Sequence, residues 1–258
     1  MILTRIVRSF REHDWFTALV ELVLLIAGIY VGFQLDRWND ARLDLQKAAE
    51  YRDQLISDLS VERREVDVMI AYHEQVRAFA LTALAAWRES PAAETERRIV
   101  ALYQASNVLP VTSARGAYDA LMNNGLLDLV GGPALASRLS AYYGQQLNSV
   151  FDEEKRYRME LRGVMPISVQ TRIRDDCIQL SIDERITEQL STECDLGLEQ
   201  AEAEQILADI VAHPEMRGYL RQAISRDSVF ISLLNSKRDL LDSLLSELHS
   251  LAGKDLRA

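Results

Sequence analysis

The chain has 258 residues, of which 48% are hydrophobic and 26% charged, with a net charge of −10. That much apolar content is enough to bury a real core and excludes a disordered tail. The acidic balance excludes a nucleic-acid surface, because phosphate binding is driven by Lys and Arg displacing counterions.

Residues 1–14 read MILTRIVRSFREHD, with Leu3, Ile6, Val7 and Phe10 at helical spacing and Arg5, Arg8 and Arg11 between them. This pattern predicts a short amphipathic segment lying in the membrane interface. Residues 15–35, WFTALVELVLLIAGIYVGFQL, carry one charge, Glu21. About 20 apolar residues at 1.5 Å each match a hydrocarbon core of about 30 Å, so this stretch is expected to cross a bilayer as a helix. No small-x-small cleavage site separates it from Asp36 and Arg37, which predicts an uncleaved anchor. Arginines and lysines are balanced on its two sides, so the positive-inside count does not decide orientation. The acids Asp36, Asp40 and Asp44 lean towards a cytoplasmic N-terminus and an outward, periplasm-like domain over residues 36–258. The expected location is therefore a bacterial inner membrane crossed once.

On a helical wheel Thr17, Glu21, Gly28 and Gly32 share one face of this span, and Asn39 extends the line beyond it. Gly28 and Gly32 form a GxxxG spacing, which lets helix backbones approach closely in lipid. A carboxylate in the bilayer costs several kcal/mol unless it faces protein, water or a partner. Three roles for Glu21 stay open: a protonated carboxyl bonded between helices, one residue of an acidic ring around a water path, or a counter-charge for a second membrane protein. Each makes the face a contact with other chains, and a homo-oligomer is the expected state. Trp38 is placed to anchor at the headgroup level, its ring apolar and its N–H wet.

The run ELVLLIAGIYVGFQLDRWN at 21–39 resembles the N-terminal signature of the bacterial DUF6090 family, matching at Glu21, Gly28, Gln34, Trp38 and Asn39. The run GAYDALMNNGLLDLV at 116–130 is similar to that family's short helix with a Gly-containing turn. The chain departs from the pattern at Gly32, where the family often has Ala. The resemblance implies a single-span, mostly helical membrane protein and carries no activity.

No Gly or Pro falls between Gly32 and Ser90, and apolar residues recur at threes and fours, so the membrane helix is expected to run on without a break to Glu89. Ser90-Pro91 is its expected stop. A short helix is expected over 94–105, and another from a Ser113 cap to a left-handed stop at Asn124-Gly125. A seven-turn helix is predicted over 134–161, followed by an irregular loop or lid over 164–198 that holds Cys177 and Cys194. Those two cysteines suit a structural disulfide in an oxidising compartment; the alternative is two unpaired thiols. Helix is expected again over 198–211, with a break at His213-Pro214. The last helix, with Leu220, Ile231, Leu234, Leu241 and Leu248, should lie antiparallel on the first. The expected fold is all-α: a transmembrane helix continuing into a long helix, with an extramembrane antiparallel helical bundle.

Catalytic constellations are missing. The sequence has no P-loop, GxGxxG, GxSxG or HExxH, and His73-Glu74 lacks a second His four residues on. His13, His73, His213 and His249 fall on separate elements and read as surface or capping residues. Neither cysteine has a CxxC partner, so no metal, cofactor or enzyme activity is expected. Two functions fit: a membrane-anchored interaction or sensor protein, or an oligomeric ion channel with Glu21 facing the pore.

Overall fold

The computed structural model describes residues 15–87, 94–109, 114–145, 156–182, 186–191 and 194–255. Helix α1, Trp15–Ala83, is 69 residues long, on the order of 100 Å at 1.5 Å per residue. Gly28 and Gly32 are its only glycines and it contains no proline, so nothing in its sequence interrupts the ladder. It tightens into one 3₁₀ turn, Leu84–Trp87. Pro91 has no N–H to give the Trp87 carbonyl, so a regular helix has no bond with which to pass that residue. The expected stop at Ser90-Pro91 and the interfacial segment 1–14 lie outside the described residues.

Helix α1 has two regimes. Below Ala48 its described side chains are exposed, apart from a half-buried Asp44. From Ala48 upward a line through Leu55, Leu59, Val66, Val76, Ala80 and Ala83 is fully covered. The cover is the last helix, Met216–Asp255, whose buried line is Leu220, Phe230, Leu234, Leu241, Leu244 and Leu248. Glu62 and Arg63 meet Lys237 and Asp242, whereas His73, one and a half turns beyond Asp67 and its partner Arg238, meets Asp227. Partners descend as α1 is climbed, so the two helices run in opposite directions.

Between them come α2 (Thr95–Gln104), α3 (Gly116–Asn123), α4 (Leu127–Gly131), α5 (Pro133–Tyr143), α6 (Arg156–Val164) and α7 (Ile167–Cys177). An antiparallel hairpin of β1 (Ile178–Ile182) and β2 (Ile186–Leu190) follows, then α8 (Gln200–Ala212) and the last helix, α9. Two cores result. The one nearer the apolar end of α1 joins Leu59, Leu121, Leu135, Leu139 and Phe230. The far one joins Val76, Ile99, Leu161, Ile173, Ile210 and Leu220. Gly125, at φ +67°, makes the left-handed stop after α3, and Gly132, at φ +87°, turns the chain into Pro133 at the first turn of α5. Ser113 lies outside the described residues.

Two expectations are corrected. The helix expected over 134–161 does not run on unbroken: α5 ends at Tyr143 and the chain turns at Gly144, a poor helix former, and α6 is described from Arg156. The segment 164–198 is irregular only in part, since it holds α7 and both strands of the hairpin. Val169, Ile173 and Cys177, four apart, bury one side of α7, and the alternation Ile178, Leu180, Ile182 makes the first strand of the hairpin. The five-residue helix α4 is too short to show a period in sequence.

A disulfide joins Cys177 to Cys194 with their Cα atoms 5.4 Å apart. It closes the loop that contains the hairpin, and the Glu96 carboxylate on α2 then accepts the N–H groups of Leu196 and Leu198 at 3.3 and 2.6 Å. Removing both thiols (Cys177→Ala with Cys194→Ala) is expected to cost about 3 kcal/mol, the chain-entropy value for a loop of roughly this length. Denaturant unfolding of the two forms measures it, and equal midpoints would show that the unfolded chain gains no freedom from the cut.

Candidate functional site

The sequence-predicted site residues in the span all lie on α1 and all face outward. Thr17, Glu21, Gly28, Gly32 and Asn39 are exposed, and a methyl group placed on Gly28 or Gly32 meets nothing within 4 Å. The single chain thus aligns these residues on one helix, and no element among the described residues covers them. Trp38 is 65% exposed at the end of the apolar run. One polar link inside the span was missed: Gln34 Nε2 donates to the Tyr30 hydroxyl at 2.8 Å, one turn away. Together with its 3₁₀ turn, α1 is long and apolar enough to cross a membrane, and its apolar window is wholly uncovered.

A second polar region runs inside the bundle between α1 and α9. Lys237 Nζ sits 2.8 Å from Glu62 Oε1, with the two side chains 6% and 1% exposed. The Tyr142 ring of α5 lies over the same ammonium at 5.0 Å. Burial, then the Glu62 carboxylate, raises the Tyr142 phenol far above its ordinary range. Three turns up α1, His73 is fully buried, its ring edge-on to Phe230 at 4.8 Å and its Nδ1 3.8 Å from Asp227. Arg226 reaches the same carboxylate at 3.3 Å. His73 therefore corrects the expectation of a surface histidine: its place in the seven-residue line of buried α1 positions was the available signal. His213 follows the end of α8, 3.5 Å from Glu160, and His249 is exposed. His13 is outside the described residues.

A third cluster closes the end of α2. Arg158 donates to the Ser106 carbonyl at 2.9 Å, and Arg162 donates to Ser106 Oγ at 3.1 Å and Asn107 Oδ1 at 2.8 Å. The Arg162 guanidinium stacks over Tyr103 at 4.4 Å, and burial followed by the neighbouring Arg158 lowers its pKa. Tyr72 donates to Glu188 of the hairpin at 3.0 Å, which brings one carboxylate over the two arginines. Cations at the carbonyl end of a helix satisfy its last acceptors, so this cluster caps α2. A groove of about 410 Å³ lies between α1 and α2, floored by Ala78, Phe79 and Ala101 and rimmed by Gln75 and Arg97.

Among the described residues no group of three or more His, Cys, Asp or Glu is placed to hold a metal ion. Neither family models, nor curated proteins, nor solved structures match this chain.

Proposed function

We propose that the protein is a membrane-anchored, homo-oligomeric helical interaction or sensor protein without catalysis of its own. In this reading it sits in a bacterial inner membrane with its N-terminal segment cytoplasmic and its bundle on the outer side. The observation that carries it is the bare face of α1: an intramembrane carboxylate, Glu21, and the small residues Gly28 and Gly32, none covered by the described residues of their own chain. A carboxylate in hydrocarbon needs protein or water beside it, and glycines permit close helix contact, so a second copy is the economical partner. The disulfide between Cys177 and Cys194 accords with a bundle in an oxidising compartment. The resemblance of residues 21–39 to the DUF6090 pattern accords with a single-span anchor. A partner domain or second membrane protein would receive whatever the bundle binds.

Thr17 and Glu21, one turn apart on one face, favour a second reading, an ion-conducting assembly with Glu21 facing a pore. Native mass spectrometry in mild detergent separates the two. A dimer is expected, and Gly28→Leu should shift it towards monomer, since the added side chain blocks close approach. A monomer across detergents would end the self-association reading. Four or more subunits would favour the pore, with loss of ion flux in Glu21→Ala as its next requirement.

A further inference from the structure

Helix α1 carries one heptad seam from end to end, and the structure covers only half of it. Counting by alternate threes and fours, Thr17, Leu24, Val31, Trp38, Leu45, Arg52, Leu59, Val66, His73 and Ala80 occupy the d positions. The upper five, from Arg52 to Ala80, are all buried by the chain's own bundle. The lower members are bare: Leu24 is 66%, Val31 54%, Trp38 65% and Leu45 56% exposed. The change falls where α9 runs out, for α9 ends at Asp255 and the first fully buried residue of α1 is Ala48.

The companion a positions below that point are Glu21, Gly28, Leu35, Arg42 and Ala49. Lipid can cover this seam as far as Leu35 and, through the headgroups, Trp38. Leu45 lies ten residues past Leu35, about 15 Å at 1.5 Å per residue, beyond the interfacial layer. Apart from Arg42 at an a position, the charges in residues 36–47 lie off the seam. Asp36, Arg37, Asp40, Asp44 and Lys47 fall on the outer b, c and f positions, and Lys47 pairs with Asp44 at 3.8 Å. The flanking e and g positions are Gln34, Asn39, Ala41, Gln46 and Ala48, with no charge to repel an identical neighbour. A shallow groove lined by Trp38, Ala41, Arg42, Leu45, Gln46 and Ala49 follows these a, d, e and g positions.

We infer that residues 17–49 of α1 pair with the same residues of a second copy as a parallel, in-register, left-handed coiled coil that leaves the bilayer and continues through the neck to Ala49. This rests on the self-association proposed above and adds its surface. Two copies anchored in one membrane meet in register, so Trp38 faces Trp38 and Leu45 faces Leu45. A strict seven-residue repeat demands the left-handed supercoil. Arg42 is the polar layer of the neck, of the kind that fixes register at some cost in stability. Gly28 lies in the seam, whereas Gly32 and Asn39 lie on its flank. Above Ala49 α9 occupies the seam, so the two copies of α1 part there and their bundles separate.

Single-cysteine scanning of residues 38–49 in the full-length chain, oxidised with copper phenanthroline in membrane vesicles, tests this. The native cysteines are bonded to each other, so the introduced thiol is the free one. Cross-linked dimer should form several-fold more at 38, 42, 45 and 49 than at 40, 44 and 47. A maximum at 39, 43 and 46 would overturn the seam, as would an even spread. No cross-link anywhere in the neck, with a dimer by native mass spectrometry, would leave a right-handed crossing at Gly28 and Gly32 and remove the coiled coil alone. A monomer by mass would remove both.

Discussion

Lys237→Met is expected to destabilise the bundle by about 3–5 kcal/mol, a large share of a typical domain's stability. The reason is what it leaves behind. Glu62 is buried between α1 and α9, and Lys237 lies 2.8 Å from its Oε1. With the ammonium gone, the carboxylate must either stay charged in a low-dielectric interior or take up a proton that it would not hold in water. Replacing both partners, Glu62→Leu with Lys237→Met, removes the charge and its counter-charge together. That variant is expected within about 1 kcal/mol of the parent, or above it, because the desolvation penalty disappears with the pair. Denaturant unfolding of the detergent-solubilised protein, followed by helical circular dichroism, gives all three midpoints. A double variant as weak as the single one would mean that the attraction between the charges exceeds their desolvation cost, reversing the assignment.

This seam shows why part of the fold could be read from sequence and part could not. The long helices α1 and α9 repeat apolar residues over many turns, so their existence, their buried lines and their mutual packing follow from period alone. The pairing of Glu62 with Lys237 does not, because each lies in a charged run, and such a charge looks the same in sequence whether it points to water or to a partner 175 positions away. His73 makes a related point: its place in the seven-residue line signals burial, but only the position of α9 places Asp227 and Phe230 beside it. Short elements fare worst. Helix α4 has five residues and each strand has five, too few to establish a period against the noise of one or two exposed apolar side chains.

The candidate site divides along the same line. Glu21, Gly28 and Trp38 stand out in sequence because membrane helices penalise charge and reward small or amphipathic residues at particular depths. Leu45 does not stand out, since a leucine in a charged helical stretch is ordinary. Its meaning depends on where α9 ends, and the sequence offers α9 no sharp stop before Asp255. The heptad seam becomes visible once burial shows the same seven-residue line covered above Ala48 and bare below it.

Phe230→Ala is expected to cost about 3–5 kcal/mol, the range for a fully buried phenylalanine whose surroundings relax only in part. Phe230 is among the largest fully buried side chains, on the face of α9 that meets α1, with the His73 ring edge-on to it. Both walls of the resulting cavity are long helices tied by polar contacts on either side, Asp227 to His73 and Lys237 to Glu62, so the backbones have little freedom to close it. The adjacent Val229 is 54% exposed, and Val229→Ala should change stability by no more than about 0.5 kcal/mol. The two variants differ by one residue and about 100° around the same helix, so their ratio reports which face α9 turns to α1. Unfolding midpoints that fall equally would mean that α9 is rotated from the position described, and the charged seam and the burial limit at Ala48 would fall with it. A loss confined to Phe230 fixes the rotation of α9, and with it the point at which α1 is left uncovered.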